Sequence, residues 1–279
     1  MTPEIRLTQG GIVLDPQAKE FFKVSGHEVL IQGERCNKIR LITEGRLAYT
    51  TIFKINTSQL EVFSESAGEA RLDYRLGKDS RVRVYNKSST AVSHQLNVIA
   101  TQGSQFSFFG NHQLAHSTWS IRAQLAEHAV VFLSALTHAR IQDQMRTEIE
   151  VRHLGAHSTS RQLFYSYAED NSTVDFSGKI YVEKNASKVI ADQMHKGTLL
   201  SRGARIRSEP FLSILHDDVK CTHGSSTGAL STDQLHYLRS RGLTLPEARE
   251  MLIQSYRNSF YAKIENLQAR EFLGFINHE

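Results

Sequence analysis

From about Lys38 to Cys221 the chain alternates apolar and polar residues over short stretches. Ile39-Arg40-Leu41-Ile42, Arg81-Val82-Arg83-Val84-Tyr85, Gln95-Leu96-Asn97-Val98-Ile99, Phe106-Ser107-Phe108, Ser120-Ile121-Arg122-Ala123, Thr147-Glu148-Ile149-Glu150-Val151 and Lys179-Ile180-Tyr181-Val182 all read as strands of period two. Polar breaks separate them, among them Asn86-Lys-Ser-Ser, Thr101-Gln-Gly-Ser and Glu169-Asp-Asn-Ser. These breaks are seldom Asn-Gly or Asp-Gly, the pairs that close two-residue hairpins, so the strands are expected to turn corners rather than reverse. A β-solenoid with about three short strands per coil meets that expectation, and the same pattern also permits a sandwich or a barrel. No sustained helical period interrupts the region. Only Val189 to Leu200 reads either way.

After Gly228 the period changes. Ser231-Thr-Asp-Gln234 has capping-box form and starts a helix that carries Leu235 and Leu238 and stops at Gly242. Thr244-Leu-Pro-Glu247 is a second capping box. Behind it Ala248, Met251, Leu252, Ser255, Tyr256, Phe260, Ile264 and Leu267 keep helical spacing, which predicts an amphipathic helix of about five turns. The expected division is an N-terminal segment over 1–30, a β core over 31–226 and a helical domain over 227–279. The apolar stripe either docks on its own domain or offers a surface to a partner.

Composition narrows the class. With 279 residues, 40% of them hydrophobic, the chain can bury a substantial core, and a net charge of +4 excludes intrinsic disorder. No stretch approaches the roughly 18 apolar residues of a membrane helix, so no membrane association is expected. Met1-Thr-Pro-Glu-Ile-Arg shows no apolar signal region, and Cys36 and Cys221 make no disulfide framework; a cytoplasmic location is expected. The only tight basic group, Arg202, Arg205 and Arg207, is followed by Glu209 and Asp217. It reads as a solvated face rather than a nucleic-acid stripe.

Several motifs fail on inspection. There is no Gly-x-x-x-x-Gly-Lys-Ser/Thr and no Gly-x-Gly-x-x-Gly, so the chain offers no ATP site of its own. Gly224-Ser-Ser226-Thr-Gly228 has the form of a nucleophile elbow, but the acid and base would have to come from Asp233, His236 or His278 in a helical tail. His112-Gln-Leu-Ala-His116 and His153-Leu-Gly-Ala-His157 have zincin spacing without the glutamate or the helix it needs, and read as surface or ladder histidines. Cys221-Thr-His223 differs. On a strand, residues two apart share a face, so a thiol and an imidazole could meet one soft metal. Two donors are too few for a closed site, and the ordinary reading is a buried cysteine beside a satisfied histidine.

The run Thr198-Leu-Leu-Ser-Arg-Gly-Ala-Arg-Ile-Arg-Ser-Glu-Pro-Phe-Leu-Ser-Ile-Leu-His-Asp-Asp-Val-Lys-Cys-Thr-His-Gly-Ser-Ser-Thr-Gly228, continued by Leu235-His-Tyr-Leu-Arg-Ser-Arg-Gly242 and Pro246-Glu-Ala-Arg, resembles the SufB/SufD family of iron–sulfur assembly proteins. His157-Ser-Thr-Ser-Arg and Phe176-Ser-Gly-Lys-Ile-Tyr-Val182 extend the resemblance, which runs from about Val151 to Ile264. Asp-Asp-Val-Lys-Cys-Thr-His-Gly looks like SufD, because SufB usually has Glu where Gly224 stands. The resemblance implies a right-handed parallel β-helix core with a C-terminal α-helical domain, and a non-enzymatic scaffold in a complex with SufB, or with a second copy, and the ATPase SufC. A transient iron–sulfur cluster shared with SufB is implied at that interface, with room for a reduced flavin on the complex. His223 matches the histidine of the cluster site; Cys221 is its strand neighbour, and His195 stands where SufB has its scaffold cysteine. Leu235, Leu238, Arg241, Met251, Tyr256 and Phe260 would face SufC. Typical SufD proteins carry an N-terminal helical domain that residues 1–30 cannot supply, so a minimal form or a paralogue is expected. The rival readings are a structural SufC partner without metal, or a carbohydrate-acting solenoid enzyme using Asp170, Asp175 or Asp192.

Overall fold

The computed structural model describes residues 2–32, 36–113 and 116–275, with backbone alone at 89–91. The chain opens with β1 (Glu4–Thr8), β2 (Gly11–Leu14), the short α1 (Ala18–Phe21), β3 (Phe22–Ser25) and β4 (Glu28–Gln32). There follow β5 (Lys38–Thr43), β6 (Arg46–Asn56), and the long β7 (Gln59–Leu76) and β8 (Arg81–Ala100). Next come β9 (Gln105–His112), β10 (Ser117–Leu125), β11 (Val130–Ala139), β12 (Gln144–His153) and β13 (Thr159–Ala168). The last strands are β14 (Thr173–Val182), β15 (Ile190–Leu199), β16 (Arg205–Ile214) and β17 (Lys220–Ala229). The helices α2 (Thr232–Ser240), α3 (Leu245–Tyr261) and α4 (Leu267–Phe272) complete the chain.

The strands wind into a parallel β-solenoid. One sheet stacks β1, β5, the first half of β7, the first half of β8, β9, β11, β13, β15 and β17, each parallel to the next. The facing sheet stacks β4, β6, the second halves of β7 and β8, β10, β12, β14 and β16. Each coil therefore has two long strands, not the three short ones the sequence pattern suggested. The reason lies in β7 and β8, which turn the corner without a break. At that corner the β7 register shifts at Ser66/Gly68 and Gly68 adopts φ +93°; a Cβ there would lie 2.2 Å from the carbonyl oxygen of Gly45. Glycine is what lets the strand bend at this point.

In-register stacking puts side chains of successive coils in columns. One interior column of the first sheet runs Ile39, Val62, Val84, Phe108, Leu133, Gln162, Gln193 and His223. Its apolar members are fully buried, and each contributes about 1.5–3 kcal/mol by leaving water. The region from Val189 to Leu200 is a strand, β15, with Ala191, Gln193 and His195 facing inward and buried.

Both helix starts lie where the caps place them. Ser231 accepts from the backbone N–H of Gln234, and Thr244 and Glu247 form a reciprocal capping box. Gly242, at φ +97°, ends α2. The helix α3 stops at Tyr261, short of the expected Leu267. The next residues turn so that Ile264 is buried against the sheet, while Asn266 caps α4 and also donates to both carboxylate oxygens of Glu61. A continuous helix could not bring these groups to the sheet. The outward positions of the first sheet are correspondingly aromatic: Phe63, Tyr85, Phe109, Tyr165 and Tyr167 pack with Ile253, Phe260, Tyr261 and Ile264. Arg249 ties α3 to the β13 corner through Glu169 at 3.0 Å.

Candidate functional site at the open end of the solenoid

The last coil closes nothing. β16 ladders onto β14 and β17 onto β15, and among the described residues no further strand pairs with their outer edges. Their interior-facing side chains therefore lack the covering rung that every earlier coil has. β17 has no buried residue, and Phe211, Ile214 and Leu215 beside it are about half exposed. His223 sits on this rung, exposed, on the inward-facing side and in register with the buried Gln193. Cys221 shares that side two residues away. Its thiol leans on a small apolar cluster of Ile180, Val182, Val189 and Ala191, and burial pushes its pKa up, so it is not a poised thiolate.

His195 lies one rung further in and is fully buried. Its ring stacks on Phe176 at 4.4 Å, its Nε2 is 2.9 Å from the Ser166 hydroxyl, and its Nδ1 has no partner among the described residues. Burial holds this imidazole neutral, its pKa pushed down to about 4. Gln162 and Gln193 stack beside it, fully buried, with both amide atoms of each side chain unpartnered among the described residues. Sequence reading missed this polar stretch of the interior. The signal was available in the repeat of about 30 residues per coil, which aligns Leu133, Gln162, Gln193 and His223.

The helical arm is the second notable surface. None of the residues of α2 is buried, and Tyr237, Leu245 and Met251 are about half exposed. Of the expected docking residues, Leu235, Leu238 and Tyr256 are partly covered, with the Tyr256 hydroxyl donating to Gln234; Arg241 is exposed and stacks on Tyr237. Phe260 is instead fully buried against the sheet beside Tyr165.

The other motifs fall into structural positions. Gly224, Ser226 and Gly228 lie along β17, not at a strand-to-helix turn, and His278 is outside the described residues. His112 and His153 are not surface groups: His112 stacks on Trp119 at 4.0 Å in the interior, and His153 is held between the Ser158 and Ser160 hydroxyls at 2.8 Å each. Leu114 and Ala115, between His112 and His116, are outside the described residues. Asp170 accepts from the backbone N–H of Ile141 at a corner, Asp175 lies on the second sheet opposite Arg207, and Asp192 pairs with Arg161 on the first. These carboxylates share no groove. Among the described residues no three His, Cys, Asp or Glu side chains come together to hold a metal ion, and no helix is long and apolar enough to cross a membrane.

The fold and this site define a class: a parallel β-solenoid whose last rung is left unpaired and whose helical arm folds back on its flank. The family model described as the SUF system FeS cluster assembly SufBD core domain matches residues 32–256, and the chain belongs to that family. It is 29% identical over 175 residues to the iron-sulfur cluster assembly protein SufD of Escherichia coli, covering 61% of this chain and 41% of that protein. It is 36% identical over 116 residues to a SufBD family protein of Synechocystis, 41% of this chain and 26% of that one. Against SufD of Bacillus subtilis it is 34% identical over 107 residues, 38% and 24% of the two chains. The chain thus matches about a quarter to two-fifths of the length of these relatives.

Proposed function

We propose that this protein is a SufD-like scaffold subunit of an iron–sulfur cluster assembly complex, not itself an enzyme, working in the cytoplasm. The observation that carries the reading is the open last coil with His223 on its inward face. An unpaired pair of strand edges flanked by exposed Phe211, Ile214 and Leu215 is a surface for a second sheet. A SufB-like subunit would complete it, and a second copy of this chain is the alternative occupant.

His223 would supply an imidazole donor to a cluster that is cargo, shared with the partner. Cys221 and His195 have weaker claims: the thiol is partly covered, and His195 faces inward one rung from the mouth. Among the described residues the inward face of β17 offers one exposed donor, His223, and one half-covered one, Cys221, so the partner would bring the rest. An imidazole in place of a thiolate leaves a cluster labile enough to hand on. The α2–α3 arm, which exposes Arg241 and Met251 and leaves Leu235, Leu238 and Tyr256 partly covered, would dock the SufC-type ATPase, which supplies the ATP chemistry this sequence lacks. Phe260 would hold the helix to the sheet rather than touch SufC. A reduced flavin would sit on the assembled complex.

The test is anaerobic co-purification with SufB and SufC of the same organism, with iron and sulfide measured on the complex. The reading expects a stable complex whose iron falls when His223→Ala is introduced. A complex whose iron is indifferent to that change would end the ligand role, and a chain that binds neither protein would end the scaffold role.

A further inference from the structure

On the outer side of the first sheet, beside the helical arm, lies a cavity of about 410 Å³, large enough for a mononucleotide-sized molecule. Its floor is a row of three rings from adjacent strands, of which Tyr85 and Phe109 are buried and Phe132 is partly exposed. Tyr85 and Phe109 are 5.6 Å apart at 18°, and Phe109 and Phe132 are 5.3 Å apart at 42°. One wall is the connector between α3 and α4. That wall is fixed: Ile264 is buried, Asn266 donates to both carboxylate oxygens of Glu61 at 3.1 Å, and the Arg270 Nε donates to the Ile264 carbonyl at 2.5 Å. The cavity is therefore preformed rather than opened by a ligand.

Its cations differ from their nearest neighbours. Neighbouring cations on the same face are paired: Lys38 with Glu61 at 3.7 Å, Arg40 with Glu65 at 2.9 Å, and Lys87 with Glu65 at 3.6 Å. Arg83 stands directly across from Glu61 in register, but Glu61 is already engaged by Lys38, by Asn266 and by the Tyr85 hydroxyl at 3.3 Å. Among the described residues, neither Arg83 nor Lys263 makes an ion pair or a side-chain hydrogen bond, and both line the cavity with the Ser107 hydroxyl. One carboxylate, Glu265, lines it too. Two uncommitted cations above an aromatic floor define a chemistry. A planar guanidinium and an ammonium grip a phosphate, and the exposed part of the Phe132 ring takes a heterocyclic ring by stacking.

We propose that this cavity is a binding site for an aromatic mononucleotide, its ring against the partly exposed Phe132 and its phosphate between Arg83 and Lys263. The site is remote from the open end in the fold and does not depend on the assembly reading. Titration calorimetry and saturation-transfer NMR on the full chain with AMP, GMP, CMP and inorganic phosphate test it. The expected result is saturable binding of at least one nucleotide with a dissociation constant near or below about 1 mM, and phosphate about tenfold weaker. Arg83→Gln should weaken the nucleotide about tenfold, because the bidentate contact is lost. If that variant does not fold, Lys263→Gln, at an exposed position, should still weaken it measurably. Absence of saturation by all three nucleotides up to about 10 mM, or binding indifferent to both substitutions, would overturn the proposal.

Discussion

The two ends of the solenoid are built differently. At the N-terminal end the outer edges of β1 and β4 are covered. β2 pairs antiparallel with β1, and β3 pairs antiparallel with β4, so hairpins close both sheets. Between them α1 contributes Ala18, and the following strand contributes Phe22, both buried in the main core. At the C-terminal end β16 and β17 have no such hairpins among the described residues, and the interior column changes from Phe108 and Leu133 to Gln162, Gln193 and His223. A closed end with an apolar lining serves stability. An open end with a polar lining gives up stability to keep a surface available to a partner.

Acid should expose the largest consequence of the lining. His94, His153 and His195 are buried with pKa values pushed down to about 4, and His112 to about 3, because burial penalises the charged ring. The unfolded chain then binds protons below about pH 6.5 that the folded chain refuses. Stability is therefore full above that pH and falls as pH drops toward about 4, by up to about 1.4 kcal/mol per pH unit for each histidine. Urea midpoints across this range measure it, and a flat profile would show that the interior admits protons or water.

A smaller effect separates the ends directly. Leu133→Ala, in the dry part of the column, should cost about 3–5 kcal/mol, whereas Leu212→Ala on the last coil should cost less than about 1.5 kcal/mol. Equal losses from denaturant melts would erase the distinction between the ends. Thr244→Ala removes a reciprocal cap and should cost about 1 kcal/mol, seen as faster amide exchange in the first turns of α3 without a change in the β core. The smallest effect is the most diagnostic of the polar lining. Gln193→Leu deletes two unpartnered buried amide atoms and should leave stability unchanged or raise it by about 1 kcal/mol. A loss of that size instead would mean the amide is satisfied in the folded protein.

Much of this architecture is legible in the sequence. Alternation from Ile39 to Val182 marks strands, the scarcity of hairpin pairs marks corners, and Ser231 and Thr244 mark helix starts through local hydrogen bonds. What was not legible depends on contacts distant in the chain. Nothing local tells that β7 and β8 continue through their corners, since the demand for Gly68 comes from Gly45 of the preceding coil. Nothing local ends α3 at Tyr261, since Asn266 is recruited by Glu61, about two hundred residues earlier. At the site, the spacing of Cys221 and His223 shows a shared face, but only the stacking of coils shows that this face is the uncovered mouth of the interior.

Hydrogen–deuterium exchange of the chain, alone and with a SufB-like partner, tests that last point most directly. The account predicts rapid exchange along the outer edges of β16 and β17 in the free chain and strong protection of those amides in the complex. Protection confined to the β2 and β3 hairpins, or no change at residues 205–229, would contradict it.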